Sequence, residues 1–423
     1  MSKSLTPADL PDQLTRRLGL ADAVVIGLGS MIGAGIFAAL APAARAAGSW
    51  LLLALALAAA VAYCNATSSA RLAARYPASG GTYVYGRERL GPFWGYLAGW
   101  AFVVGKTASC AAMALTAGWY LWPGQAHAVA VAAVLALTAV TYAGVHKSAL
   151  VTRAIVAAVL AVLAAVVVAA LVAVGPAPEG EGPGPDVTAG GVLQAAGLLF
   201  FAFAGYARIA TLGEEVRDPR RTIPRAIPIA LGITLIVYAA VAVAVLSALG
   251  PGRLADAAAP LADAARAAGA DWLAPAVRAG AALAALGALL ALILGVSRTT
   301  LAMARDRHLP HALSAVHPSF QVPHRAGLAV GLVVAALAAT ADLRGAIGFS
   351  SFGVLVYYAV ANASAWTLTP EEGRPPRAVP ALGLAGCLIL AFALPTSAVL
   401  TGAAVLGAGA AAYGLRRALA IRR

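Results

Sequence analysis

The sequence predicts an all-α polytopic membrane protein, and three observations support this fold class. Of its 423 residues, 61% are hydrophobic and only 11% are charged, whereas a soluble domain carries about 25% charged residues. The apolar residues form long runs rich in Ala, Leu and Val, unlike the short alternating strands of an outer-membrane barrel. Most of these runs reach the length of about 20 residues that a membrane-spanning helix requires.

Twelve such runs follow one another along the chain, and each predicts one transmembrane helix. We place them at 22–47, 50–73, 92–122, 126–144, 150–174, 190–214, 226–250, 275–304, 325–341, 343–368, 376–393 and 395–415. The ninth run is the shortest of the twelve. The spacing of the runs predicts a tail over 1–21, a core over 22–368, a pair of accessory helices over 376–415 and a second tail over 416–423.

Positive charge is concentrated in alternate loops and in the two tails. The formal net charge is +13 at pH 7, and only seven of the 30 Lys and Arg residues lie elsewhere. Five of the seven lie in segments that we place on the outer side of the membrane, and two lie inside apolar spans: Arg45, Arg253, Arg266, Arg278, Arg344, and Lys106 and Arg208. This asymmetry predicts a protein of the plasma (inner) membrane with both termini in the cytoplasm. We expect anionic lipid headgroups, and no nucleic acid, to be the partners of the basic side.

Motifs for catalysis and for metal or cofactor binding are missing from the sequence. The three cysteines, Cys64, Cys110 and Cys387, lie in apolar runs without ligand spacing, and the six histidines show no such spacing. No His-Glu-x-x-His, paired carboxylates or nucleophile elbow is present. We therefore expect no cofactor, no metal site and no enzymatic activity. The apolar spans also disfavour an ion channel, which needs a polar lining.

Two apolar runs contain glycines where a spanning helix should be most regular, within 24–37 and within 200–210. Glycine weakens the preference for helix, and a broken helix exposes backbone N–H and C=O groups. Because lipid cannot hydrogen-bond to those groups, the breaks must face protein or a hydrated cavity. The two runs are the first and sixth spans and have opposite orientations, which indicates inverted five-helix repeats over 22–174 and 190–368. Such a pair of broken helices is typical of a transporter's substrate site.

The chemistry of the two breaks suits a small zwitterion. At the first break, from Gly29 to Gly35, free amides begin a half-helix whose positive end attracts a carboxylate. The small residues Gly33 and Ala34 permit close approach of a ligand. At the second break, over 201–206, carbonyls end a half-helix and attract an ammonium group, and Phe201 is the ring that we expect to act as a gate. Helix packing through small residues is the competing interpretation.

Four motifs, met in order along residues 20–330, resemble those of the amino acid–polyamine–organocation (APC) transporter family. The first is Gly-Ser-Met-Ile-Gly-Ala-Gly-Ile-Phe in the first span, and the second is Pro-Ala-Ser-Gly-Gly-Thr-Tyr from Pro77. The third has two parts, Phe-Ala-Phe-Ala-Gly-Tyr in the sixth span and Gly-Glu-Glu-Val-Arg-Asp-Pro from Gly213. The fourth is Ala-Met-Ala-Arg-Asp from Ala302. The resemblance implies a LeuT-like fold of two inverted repeats followed by two extra helices. It also implies amino acid transport by alternating access.

The resemblance further implies individual contacts with the substrate. The amides of Ala34 and Gly35 would bind its carboxylate, and the carbonyls of Met31, Phe201 and Ala204 would bind its ammonium group. With their neighbours at each break, the predicted substrate-binding residues are Met31, Gly33, Ala34, Gly35, Phe201, Ala202, Phe203, Ala204 and Gly205.

Lys106 is an ionisable residue in the middle of the third span. Charge at the bilayer centre costs about 2.5–3.5 kcal/mol, and such residues are functional by default. Because burial favours the neutral amine, Lys106 is predicted to be a proton-coupling switch or a fixed cation that replaces sodium. It could instead hold spans together or favour an acidic substrate. Several members of the family carry a lysine where this chain has Val159, so the resemblance assigns Lys106 no role. We rank a sodium site below a proton or no ion.

Neutral amino acids are the expected small-molecule substrates, with cationic amino acids or amines as the alternative. The breaks recognise the amino acid backbone, and Gly105, Ala108 and Ser109 would leave room for a side chain if that face of the third span lines the pocket. A non-transporting amino acid sensor would share every motif. We expect a monomer or a homodimer.

Overall fold

The computed structural model describes residues 18–76, 80–144, 149–173, 187–210 and 216–421. Within these ranges the regular elements are helices, and one isolated parallel β-bridge pairs Leu18 with Val216. Three sequence features lie outside the described residues: most of the gap between the fifth and sixth predicted spans, the first residues of the Pro77 motif, and Gly213 with the two glutamates that follow it.

Seventeen α-helices make up most of the described chain. They are α1 (Leu20–Met31), α2 (Ala34–Ala38), α3 (Leu40–Ala47), α4 (Leu51–Arg75), α5 (Thr82–Leu90), α6 (Pro92–Leu121), α7 (Ala126–Tyr142), α8 (Ala149–Val172), α9 (Ala189–Phe203), α10 (Ala207–Ala210), α11 (Pro219–Asp256), α12 (Pro260–Ala267), α13 (Ala274–Arg305), α14 (His324–Thr340), α15 (Leu343–Trp366), α16 (Ala378–Ala393) and α17 (Thr396–Ile421).

The predicted all-α polytopic membrane fold is confirmed. Ten helical stretches of the described chain are long and apolar enough to cross a membrane. The ninth and eleventh predicted spans correspond to α14 and α16, which have 17 and 16 residues. At 1.5 Å per residue these two helices are about 24–26 Å long, somewhat less than the hydrocarbon thickness of about 30 Å. The total of twelve spans therefore stays a prediction.

Two segments that were expected to be loops contain helix. The short helix α5 occupies much of the gap between the second and third predicted spans, and α11 begins at Pro219, inside the gap between the sixth and seventh. Proline suits the first turn of a helix, because the amide that it lacks would have no helical partner there. Hydropathy located only the apolar part of α11, whose polar first turns extend the same helix.

Small residues bring α6 and α15 into close contact. A Cβ atom on Gly105 would lie 3.3 Å from the Gly353 Cα, and one on Gly353 would lie 3.0 Å from the Ala101 carbonyl oxygen. The hydroxyls of Ser109 and Ser350 are 2.5 Å apart. Small side chains allow such close helix packing in membranes. Gly105 and Ser109 were expected to leave room for a substrate side chain, and the structure instead uses them to pack α15.

A cluster of buried polar side chains joins α4, α15 and α16. The Asn362 amide group donates to the Asn65 side-chain oxygen at 2.6 Å, and the Ser68 hydroxyl donates to the Asn362 side-chain oxygen at 2.7 Å. The Cys387 thiol lies 3.3 Å from the same Asn65 oxygen. Because a buried polar group without a partner costs about 1–3 kcal/mol, these bonds favour one lateral arrangement of the three helices.

Glu372 connects three segments on the side of the molecule that carries the arginine-rich ends of α4, α5 and α13, here called the basic side. The Arg89 guanidinium contacts one of its carboxylate oxygens, which also accepts from the Thr369 amide at 3.0 Å. The Arg75 Nε lies 3.2 Å from the other oxygen. The hydrogen bond from Arg89, with those from the Thr369 amide and Arg75, lowers the pKa of Glu372 to about 2.

Replacing Glu372 with Gln should therefore lower thermal stability at neutral pH. The pKa of this carboxyl is about 2 in the fold against an ordinary value of 4.5, so its stabilisation is complete above pH 4.5 and is lost as the pH falls toward 2. We expect the unfolding temperature of Glu372→Gln in detergent to lie below that of the native protein at pH 7. The two temperatures should converge as the pH falls below 4.5, and a constant gap would contradict this assignment.

Candidate functional site

The first span is interrupted immediately after Met31. There α1 ends, and Ile32 (φ −79°, ψ 56°) and Gly33 (φ −107°, ψ −138°) leave the helical conformation before α2 begins. The Ala39 amide donates to the Gly35 carbonyl at 2.9 Å, so the helical ladder of α2 continues toward α3. The interruption is shorter than the predicted one, because Gly29, where the predicted break begins, still lies within the regular helix α1.

The sixth span is interrupted in the same way, at the end of α9. Regular helix ends at Phe203, a 3₁₀ turn covers Ala204–Tyr206, and the short helix α10 follows. A 3₁₀ turn replaces i→i+4 hydrogen bonds with tighter i→i+3 bonds, which changes the partners of the last helical carbonyls. Phe201 and Ala202 lie within the regular helix, so the break begins later than the sequence predicted.

The two interruptions are in direct backbone contact. A Cβ atom on Gly205 would lie 2.3 Å from the Ser30 carbonyl oxygen and 2.6 Å from the Met31 amide nitrogen. A Cβ atom on Gly35 would lie 2.5 Å from the Ala202 Cα. Real Cβ atoms do not approach other atoms so closely, so glycine is required at both positions for the broken helices to meet.

Tyr238, from the middle of α11, satisfies carbonyls of both interruptions. Its hydroxyl is within hydrogen-bond distance of the Met31 carbonyl oxygen and lies 3.0 Å from the Ala202 carbonyl oxygen. A hydroxyl has one proton to donate, so the two carbonyls share it. Tyr238 is fully buried, and its ring packs 5.1 Å from that of Phe203. The tyrosine therefore holds the two breaks at a fixed separation.

A cavity of about 110 Å³ lies against the two breaks. Ser30 lines it from the first break, Ala204 and Gly205 from the second, and Lys106 from α6. The Lys106 side chain is 5% exposed, and its amine donates to the Ala204 carbonyl oxygen at 3.3 Å. The Tyr358 hydroxyl lies 3.5 Å from the same oxygen. The polar groups at the centre of this site are thus a lysine, a tyrosine and the backbone carbonyl of Ala204.

The predicted site residues fall into two groups in the structure. Lys106, Ala204 and Gly205 line the cavity. The others are buried around the two breaks and lie outside the cavity lining: Met31, Gly33, Ala34, Gly35, Phe201, Ala202 and Phe203. Phe201, the predicted gate, is only 7% exposed within α9. In this conformation the amides at the start of α2 are covered by packing, since a Cβ on Gly33 would lie 2.8 Å from the Ala288 Cβ.

One wall of the cavity comes from α13, which the sequence interpretation missed. Ala288, Ala291, Gly295, Arg298 and Ala302 line it. Their spacings of three and four residues place them on one face of a helix, and four of the five side chains are small. The periodicity was visible in the sequence, but an apolar span offers several such stripes, and nothing local distinguishes the one that faces a cavity.

The cavity continues toward the basic side. A second cavity of about 400 Å³, between α1, α8 and α13, shares Ser30, Arg208 and Arg298 with the first. None of the described residues that line either cavity is acidic. Three cationic side chains, Lys106, Arg208 and Arg298, therefore lie along these two cavities.

Aromatic side chains close the first cavity toward the opposite side of the molecule. The Phe37 and Tyr120 rings meet edge to face at 5.7 Å, both are essentially buried, and the Tyr120 hydroxyl donates to the Phe37 carbonyl at 3.1 Å. Beyond them lies a separate cavity of about 290 Å³, where Arg45 and Asp256 form an ion pair with a separation of 2.6 Å. Arg278 donates to the Tyr120 carbonyl at 2.7 Å and fixes this closure.

A network of polar side chains joins α5 to the end of α13 on the basic side. The Tyr83 hydroxyl donates to the Asp306 carboxylate and lies 2.9 Å from the His308 Nδ1, and Arg87 reaches the same carboxylate at 3.1 Å. Burial raises the pKa of Tyr83, and so does the bond to Asp306. Burial also lowers the pKa of His308. Arg416 of α17 donates to the His308 carbonyl at 2.7 Å, so three helices are tied together here.

Comparison with known proteins gives consistent similarities. Residues 18–411 match the amino acid permease family. A protein of Mycobacterium tuberculosis, described as an uncharacterized transporter, is 75% identical over all of this chain and 96% of its own length. A branched-chain amino acid permease of Bacillus subtilis is 27% identical over 89% of this chain and 88% of its own length. The human cationic amino acid transporter 4 is 29% identical over 88% of this chain and 63% of its own length.

The contact between the two breaks predicts a strong effect of one methyl group. Gly205→Ala should force apart the backbone at Ser30 and Gly205, at a cost of about 1–3 kcal/mol. Gly232→Ala in α11 is the matched control, because a Cβ there meets nothing within 4 Å and alanine favours helix by up to about 1 kcal/mol. Thermal unfolding in detergent should show a lower transition temperature for Gly205→Ala alone. Equal stability of the two variants would contradict the contact.

Proposed function

This chain belongs to the amino acid permease family, and from that premise we propose that it is a secondary transporter of amino acids working by alternating access. The observation that carries the proposal is the meeting of two interrupted helices, one in each predicted repeat, beside a cavity. Paired interruptions of this kind bring backbone dipoles to the middle of a membrane, where they can hold a zwitterion without charged side chains.

We propose that the two breaks bind opposite ends of the substrate. The ammonium group would contact carbonyls of Met31, Phe201 and Ala204, and two of these already accept hydrogen bonds from side chains, Met31 from Tyr238 and Ala204 from Lys106. The carboxylate would contact the amides of Ala34 and Gly35, whose half-helix continues through α3 and directs its positive end at the break. Because those amides are covered in this conformation, binding requires a small rearrangement of α2 relative to α9 and α13.

Neutral amino acids are the proposed substrates, and cationic amino acids are the second candidate. The cavity has a volume of about 110 Å³, which suits a small ligand. Lys106, Arg208 and Arg298 line it, with no acidic side chain among the described lining residues, so a cationic side chain would be repelled there. The names of the relatives include both a branched-chain and a cationic amino acid carrier.

The conformation suggests which side of the membrane the cavity faces. Toward the opposite side the Phe37–Tyr120 pair closes the route, whereas the cavities continue to the basic side along Arg208 and Arg298. Under the positive-inside rule the basic side is cytoplasmic. We therefore propose that this is an inward-facing state of a carrier in the plasma (inner) membrane, with both termini in the cytoplasm.

Counterflow in proteoliposomes tests transport directly. Vesicles loaded with an unlabelled neutral amino acid such as leucine should accumulate external labelled leucine, because a carrier exchanges the two across the membrane. Loading with arginine instead should give much less accumulation, since the cavity is lined by cations. Protein-free vesicles are the control. Binding of leucine by thermal shift without any counterflow would support the alternative of a non-transporting sensor.

Lys106 is proposed to couple transport to a proton. Arg208 and Arg298 line the same cavity, and Lys106 has a neutral carbonyl as its hydrogen-bond acceptor, so protonation of its amine would change the charge of the site. Lys106→Ala should flatten the dependence of leucine uptake on pH between about 5 and 9, measured in the same vesicles. A variant that transports with the native pH profile would contradict this role.

A further inference from the structure

The amine of Lys106 occupies a position that an amino acid substrate would need. It donates to the Ala204 carbonyl oxygen at 3.3 Å, one of the carbonyls proposed to bind the substrate ammonium group. We infer that Lys106 is an internal mimic of that ammonium group, which fills its place in the empty protein and must be displaced when an amino acid binds. The inference rests on the proposed function. It adds that the Lys106 amine and the substrate ammonium group compete for the Ala204 carbonyl oxygen.

The surroundings of Lys106 make the Ala204 carbonyl its natural acceptor. The side chain is 5% exposed, and within the described part of the chain no carboxylate lies within 4.0 Å of its amine. A buried amine needs a hydrogen-bond acceptor. The carbonyl at the end of α9 is a strong one, because the helix dipole adds negative charge at that end. An ammonium group from a substrate would be drawn to the same place for the same reason.

Side-chain donors already reach this carbonyl. A carbonyl oxygen accepts through two lone pairs, and Lys106 and the Tyr358 hydroxyl donate to it at 3.3 and 3.5 Å. A substrate ammonium group must therefore replace one of them. Tyr358 is held by its neighbours, since its ring lies 5.0 Å from that of Tyr206 and 5.9 Å from that of Phe200.

Lys106 is the donor that can leave. Its ammonium group stands on a flexible four-carbon stem, and the residue lines the cavity, so the side chain has room to turn. Two ammonium groups on one oxygen also repel each other, whereas a hydroxyl and an ammonium group do not. A ligand that keeps the carboxylate but lacks the amino group has no reason to displace Lys106. The site should thus select for an α-amino group against the lysine already present.

Lysine resonances in the native protein provide a direct test. The chain has only three lysines, Lys3, Lys106 and Lys147, so labelling with lysine carrying ¹³C at Cε gives three signals. The Lys106 signal is assigned by its loss in Lys106→Met. Adding leucine should shift that signal and leave the other two unchanged. Adding 4-methylpentanoate, which is leucine without its amino group, should leave all three unchanged.

Binding to variants provides the second test, with a control variant outside the site. Lys106→Met keeps the length and removes the competing charge, so leucine should bind about tenfold tighter or more, the usual size of a charge-assisted hydrogen bond. Lys106→Gln, which keeps a neutral donor, should give a smaller gain, and it replaces Lys106→Met if that variant does not fold. Gly232→Ala in α11, where an added Cβ meets nothing within 4 Å, is the control and should change the affinity less than twofold. The affinities are measured by titration calorimetry in detergent.

The outcomes separate this inference from the function on which it rests. A leucine-dependent shift of the Lys106 signal together with tighter binding by Lys106→Met supports it. Leucine binding that leaves the Lys106 signal unchanged, or that is no tighter in either Lys106 variant, overturns the competition and leaves the transport function standing. An equal gain from Gly232→Ala also overturns it. Failure of every amino acid to bind the native protein or the variants overturns the proposed function as well.

Discussion

A backbone carbonyl or amide that leaves its helix inside a membrane must find another partner, and much of this structure follows from that constraint. Lipid offers neither donors nor acceptors, so the interruptions after Met31 and after Phe203 exist only because other groups reach them. Tyr238 serves a carbonyl on each side, and Lys106 serves the carbonyl of Ala204. The side chains around the site are, first of all, the partners that make two broken helices tolerable.

Close contact between small residues is the second condition for such a site. The backbone of Gly205 lies against Ser30 and that of Gly35 against Ala202, at distances that exclude any side chain. Glycines likewise allow α6 to pack closely against α15, at Gly105 and Gly353. Tight packing leaves little freedom for the breaks to move independently. A change that opens the covered amides of α2 must therefore shift α2 and α3 together against their neighbours.

The polar groups that stabilise the breaks are also the groups that a ligand would meet. The Ala204 carbonyl accepts from Lys106 when the site is empty. In the proposed binding mode, the stability of the empty protein and its affinity for a substrate depend on one set of hydrogen bonds, because each bond gained with a substrate replaces a bond that the protein had made with itself.

The amino-acid sequence by itself determined the fold class, the number and order of apolar runs, and the two places where helices break. These features depend on hydropathy, length and the local effect of glycine, all of which act within a few turns of chain. The sequence also singled out Lys106, because a charge in an apolar run is conspicuous whatever surrounds it. It did not determine that this amine reaches Ala204, that Gly105 and Ser109 face α15, or that α13 supplies a wall of the cavity. Periodicity shows which residues share a face of a helix. Which neighbouring helix that face meets depends on contacts between distant parts of the chain, and only the tertiary structure decides them.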